Sequence, residues 1–124
     1  MAGHAVLLVD DNATNVKLLT YILRRQGFVV MSAGDAGETQ ALLAARLPDL
    51  ILMDLQLPDI DGFELTRRIK ADLATRHIPV IAVTAFAMKG DEERARAAGC
   101  DHYITKPINT AELLAAMARC LPSS

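Results

Sequence analysis

Short apolar runs alternate five times with longer stretches whose apolar residues recur at helical spacing, and this alternation leaves the chain few folds to choose from. Strands separated by helices cannot pair as tight hairpins. They pair in parallel, with each intervening helix crossing over on a face of the sheet. The pattern predicts an α/β protein with a five-stranded parallel sheet and five helices, folded as one domain over residues 1–124.

The first strand is expected at Ala5 to Val9, and a helix from about Ala13 to Gln26 puts Val16, Leu19 and Leu23 on one face, with Gly27 where a C-terminal cap belongs. The second strand is Phe28 to Ala33. The second helix starts after Asp35, with Glu38 as a capping-box partner, and stops before Pro48. The third strand is Leu50 to Met53, and Asp61 with Glu64 repeats the same helix-start signal. The fourth strand is Val80 to Val83 behind Pro79. The next helix opens near Gly90 with Asp91, Glu92 and Glu93, whose charges suit the positive end of a helix dipole, and closes at Gly99. The fifth strand is His102 to Thr105, and the last helix runs from Asn109, paired with Glu112, to about Leu121.

Hydrophobic content of 52%, charged content of 23% and a net charge of -2 describe a folded globular chain, outside the range of disordered sequences. That balance gives no electrostatic reason to bind nucleic acid or an anionic membrane. Met1-Ala2-Gly3-His4 lacks a basic stretch, and the apolar segment after it is too short for a signal peptide or a membrane span, so a cytoplasmic location is expected. Cys100 and Cys120 form no metal or redox motif and read as reduced thiols. His4, His77 and His102 share no helical face and read as solvated or turn residues. Only Pro122, Ser123 and Ser124 follow the last helix, so output is expected through the domain's own surface.

The charges fall at strand ends. Asp10 and Asp11 follow the first strand, Asp54 the third, and Lys106 the fifth, each read as leaving a strand buried on both faces. In an open parallel sheet the carboxyl ends share one edge, so three acids and one lysine are expected in one pocket. Two carboxylates about 4 Å apart repel by roughly 4 kcal/mol at an effective dielectric near 20. A divalent cation relieves that repulsion, and hard oxygen ligands suit Mg2+. Asp54, alone at its strand end, is the candidate nucleophile for phosphoryl transfer, Asp10 and Asp11 the candidate metal ligands, and Thr84 a hydroxyl donor beside the small Ala85. Lys106 completes the ring. Each residue taken singly has a plainer reading, as a helix cap, a loop opener or a strand-end threonine, and only their joint placement favours the site. On base rate the Lys106–Pro107 bond is expected trans. Tyr103 reads as a partly buried aromatic, and Met53, Met88 and Met117 as core or gap-filling residues.

Together, Val9-Asp10-Asp11-Asn12, Leu52-Met53-Asp54 with Pro58 and Gly62, Val83-Thr84-Ala85 and Tyr103-Ile104-Thr105-Lys106-Pro107 resemble the receiver domain of bacterial two-component response regulators over essentially the whole chain. Thr84 to Arg94 is particularly similar to DivK-type single-domain regulators of alphaproteobacterial cell division, and receivers of hybrid histidine kinases share much of it. The resemblance implies a flavodoxin-like, doubly wound sheet in the order 2-1-3-4-5. It implies that Asp54 accepts a phosphoryl group from a kinase or phosphotransferase histidine, with Mg2+ on Asp11, Asp54 and the Gln56 backbone carbonyl and with Asp10 holding a metal-bound water. By the same likeness, Thr84 and Lys106 contact the phosphoryl oxygens and Tyr103 changes rotamer with Thr84. The likeness also reverses the base-rate expectation for Pro107, making its bond cis. It leaves the flanking Gln56 and Phe86 open as determinants of the phosphoryl lifetime.

The function expected is a phosphorylation-switched binding module, a monomer or weak dimer, meeting its downstream protein through the fourth helix, fifth strand and fifth helix. An aspartyl-nucleophile phosphatase of the haloacid dehalogenase type needs a general acid two residues after the nucleophile, where this chain has Gln56. A flavodoxin-like nucleotide binder needs a phosphate-cradling loop after the first strand, where Asp10-Asp11-Asn12 repels phosphate.

Overall fold

The structure is a computed structural model that describes residues 3–85 and 89–121. Its elements are β1 (Ala5–Val9), α1 (Ala13–Arg25), β2 (Val29–Ala33), α2 (Ala36–Ala45), β3 (Leu50–Asp54), α3 (Gly62–Ala71), β4 (Val80–Thr84), α4 (Asp91–Ala98), β5 (His102–Thr105) and α5 (Thr110–Cys120). All strand pairs are parallel, in the order β2-β1-β3-β4-β5. This is the flavodoxin-like arrangement that the resemblance implied.

Period-2 alternation along each strand sends side chains to two cores. Leu7, Val9, Ile51, Met53, Val80 and Ala82 meet α2, α3 and α4 through Leu43, Leu65, Ile69 and Ala95. Val6, Leu8, Leu50, Leu52, Ile81 and Ile104 meet α1 and α5 through Leu19, Leu23, Leu113 and Met117. Met53 and Met117 are fully buried, as their core reading requires, and Met88 lies outside the described residues. Covering both faces buries β1, β3 and β4 throughout.

The edges behave differently. β5 was expected to be buried on both faces, yet only Ile104 is fully so, and β2 is buried only at Ala33. Each has a neighbour on one side alone, so the helices cover it incompletely. His102, read as solvated or in a turn, is instead a half-buried residue of this edge strand.

Phe28, expected to open the second strand, belongs to the end of α1. Gly27 takes a left-handed conformation (φ 92°), its N–H donates to Arg24 O at 3.0 Å, and the Phe28 N–H reaches back to Leu23 O at 3.1 Å. This is a Schellman stop, and its usual apolar contact is present because Phe28 and Leu23 share a core. The helix starts are where the side-chain caps predict them: Asn12, Asp35, Asp61 and Asn109 accept from the N–H groups of Asn15, Glu38, Glu64 and Glu112. The capping-box glutamates differ. Glu38 accepts from Gly34 N–H, one residue before the cap, and Glu64 pairs with Arg67 and Arg68.

Candidate functional site

Strand register aligns the charged residues along one edge. Val9 lies opposite both Ala33 and Met53, so Asp10, one residue on, emerges beside Asp54, the last residue of β3. The Asp10 N–H donates to Ala33 O at 3.0 Å, and its Oδ1 accepts from Asn12 N–H at 2.8 Å. Asp54 is 5% exposed, and its Oδ1 accepts from Gln56 N–H at 2.9 Å. Thr84 ends β4 opposite Thr105, and the Lys106 N–H donates to Thr84 O at 2.8 Å, continuing the ladder one step past β5.

That last bond aims the lysine inward. Its Nζ lies 3.4 Å from Asp54 Oδ2 and 3.5 Å from Asp10 Oδ2. Carboxylate oxygens of Asp10, Asp11 and Asp54 fall within 4.8 Å of one another, with Asp10 and Asp54 buried and Asp11 open to solvent. The Lys106 ammonium therefore pairs with two members of a three-carboxylate cluster. Burial pushes the Asp54 carboxyl above its ordinary pKa, and the neighbouring Asp10 adds to the rise, while the Gln56 N–H and the Lys106 charge oppose it. Three hard oxygen donors with a charge deficit and an open side fit a small divalent cation.

The structure brings five of the residues expected from the sequence together: Asp10, Asp11, Asp54, Thr84 and Lys106. Gln56 adjoins them through its N–H, with its side chain exposed. Tyr103 sits one step back, opposite Ala82, on the face covered by α3 and α4. Its hydroxyl is buried with no hydrogen-bond partner among the described residues, and burial raises its pKa, helped by Asp91 and Glu92. The Lys106–Pro107 bond is cis, as the family likeness implied and the base rate did not. Phe86 lies outside the described residues.

Two contacts were not read from the sequence, although Gly62 itself stands among the residues that carry the family likeness. A Cβ on Gly62 would stand 2.6 Å from Leu55 Cα and 2.7 Å from Asp54 O, so α3 rests directly on the backbone of the candidate nucleophile. Asp59 accepts from the Ala36 N–H of α2, a partner 23 positions away. Both depend on tertiary placement, which no local pattern encodes.

The pattern that defines the response regulator receiver domain matches residues 6–118. The chain belongs to the receiver-domain family. Receiver domains are the signalling switches of two-component systems. Among relatives of this one are the polar-differentiation response regulators DivK of Brucella anthropi and Brucella ovis, each 50% identical over 105 residues that cover 85% of either chain. Among solved structures it resembles a putative response regulator from Chloroflexus aurantiacus (TM-score 0.91, 30% identity, covering 95% of this chain and 97% of that one). It also resembles the receiver domain of a sensor histidine kinase from Pseudomonas aeruginosa (TM-score 0.89, 38% identity, covering 98% and 100%), whose structure has a magnesium ion coordinated in the active site cleft. Among the described residues of the receiver domain, no helix is long and apolar enough to cross a membrane.

Proposed function

We propose that Asp54 is the reversible phosphoryl acceptor of this receiver, charged by the phosphohistidine of a histidine kinase or a histidine phosphotransferase. The observation that carries this reading is the single ammonium of Lys106 set between Asp54 and Asp10 inside a cluster of three acids. An Asp54 oxygen attacks phosphorus, the N–P bond of the donor breaks, and the imidazole leaves with the electron pair and takes up a proton. Lys106 and Thr84 receive the phosphoryl oxygens, and the Gln56 N–H holds the non-attacking Asp54 oxygen in place. Asp11, Asp54 and the Gln56 carbonyl would hold Mg2+ directly, and Asp10 would hold it through a bound water. When bound, the ion supplies the positive charge that lets an anionic phosphoryl group approach an anionic nucleophile.

An apolar groove of about 320 Å³ between Leu18, Leu19 and Ile22 of α1 and Pro107 and Ile108 opens beside Lys106, giving a protein donor a surface to rest on. Output runs through α4, β5 and α5, with Tyr103 of β5 changing state together with Thr84 at the end of β4. The role is DivK-like control of polar differentiation or cell division by a cytoplasmic receiver switch, supported by the 50% identity to DivK proteins. A phosphatase reading is disfavoured by Gln56, which cannot give up and recover a proton. Incubation with Mg2+ and acetyl phosphate is expected to add one phosphoryl group to the wild type and none to Asp54→Ala; an unchanged wild-type mass overturns the reading.

A further inference from the structure

The connection between β3 and α3 carries Gln56, and backbone bonds pin its two ends: Leu55 N–H to Val83 O at 3.0 Å and Gly62 N–H to Leu55 O at 3.0 Å. Between those pins, Asp59 reaches out of the loop. Its two carboxylate oxygens accept from the Ala36 N–H at 3.2 and 3.0 Å, and Oδ1 also accepts from Ile60 N–H at 2.9 Å.

Ala36 is the buried first residue of α2. The first N–H groups of a helix need partners from outside it. A local cap is already present, since Asp35 Oδ1 accepts from Glu38 N–H at 2.8 Å. Asp59 therefore satisfies a different donor and ties α2 to the β3–α3 loop. The same short connection touches the site from its other end, where Ala33 O accepts from Asp10 N–H at 3.0 Å. The bonds close a ring: Asp10 to Ala33, along the backbone to Ala36, across to Asp59, back to Gln56, on to Asp54, and through Lys106 to Asp10.

We infer that Asp59 is a positioning residue for the cation site, holding the loop that presents the Gln56 carbonyl by gripping the first N–H of α2. This rests on the metal reading given above. Groups that orient ligands from outside the coordination sphere change metal affinity by roughly ten- to a hundred-fold when removed.

Mg2+ titrated calorimetrically into the wild type, Asp59→Ala, Asp59→Asn and Asp35→Ala separates positioning from simple capping. Asp59→Ala is expected to bind Mg2+ about tenfold more weakly, at the lower end of that range. Asp59→Asn, which keeps an acceptor oxygen, stays near the wild type. Asp35→Ala weakens the same helix end without touching the loop and leaves the affinity unchanged. Amide exchange in chelator supplies the metal-free readout: the Gln56 and Ile60 amides exchange faster in Asp59→Ala and not in Asp35→Ala. Wild-type Mg2+ affinity in Asp59→Ala, or an equal loss in Asp35→Ala, overturns the inference. If the wild type itself binds no Mg2+, the metal reading fails on its own account, and unchanged Gln56 exchange in Asp59→Ala then overturns the loop's dependence on Asp59.

Discussion

Replacing Asp54 with Asn should stabilise the metal-free protein. Carboxylates at the 4.8 Å limit of the cluster repel by about 3.5 kcal/mol at an effective dielectric near 20. The Asp10 pair keeps that value, whereas the pair with exposed Asp11 is screened to about 2 kcal/mol. Against this stands Lys106, which at 3.4 Å attracts Asp54 by about 5 kcal/mol on the same scale. The pairwise energies nearly cancel, so the desolvation of a carboxylate that is 5% exposed decides the sign. Asn keeps the acceptor for Gln56 N–H and leaves Lys106 its Asp10 partner. A gain of about 1–2 kcal/mol follows, or roughly 3–8 °C in Tm for a domain of this size. The pH dependence has a fixed direction. The folded state holds the Asp54 proton more tightly than the unfolded chain does, so this group's contribution is complete below the ordinary carboxylate range and is lost as pH rises through the raised folded value. Wild type and variant therefore converge in acid and diverge toward neutrality. The assay is thermal melting in chelator at low salt, repeated with Mg2+, where the wild type should recover more than the variant. A variant that melts at or below the wild type in chelator at neutral pH refutes the reasoning.

Gly62→Ala should lower the urea midpoint by the equivalent of about 1–3 kcal/mol and slow acetyl phosphate labelling, because its methyl group would collide with the Leu55 and Asp54 backbone; wild-type stability and labelling together contradict this. Burial pushes the Cys100 thiol up to about 11, and Cys100 is 8% exposed, so Ellman's reagent should label the half-buried Cys120 first and reach Cys100 only on unfolding. Labelling of Cys100 first in native protein would count against that packing.

Much of this molecule is written locally. Asn12, Asp35, Asp61 and Asn109 place helix starts through bonds spanning three residues, and the apolar runs place β1, β3 and β4. The acid cluster was legible for a related reason, since parallel strands of similar length must end along one edge. What escaped depends on neighbours. His102–Thr105 reads like a central strand until its position at the sheet edge is known, and Phe28 looks like a strand residue until its N–H is seen returning to Leu23 O. The cis bond before Pro107 was legible through family likeness alone. The reach of Asp59 to Ala36 was legible by neither route.

Trapping the acyl phosphate tests the central claim most directly. After labelling with Mg2+ and acetyl phosphate, borohydride reduction turns a phosphorylated aspartate into homoserine, which peptide mass mapping locates. The account predicts homoserine at position 54 alone, dependent on Mg2+. Conversion at Asp10 or Asp11, or none at all under labelling conditions, contradicts it.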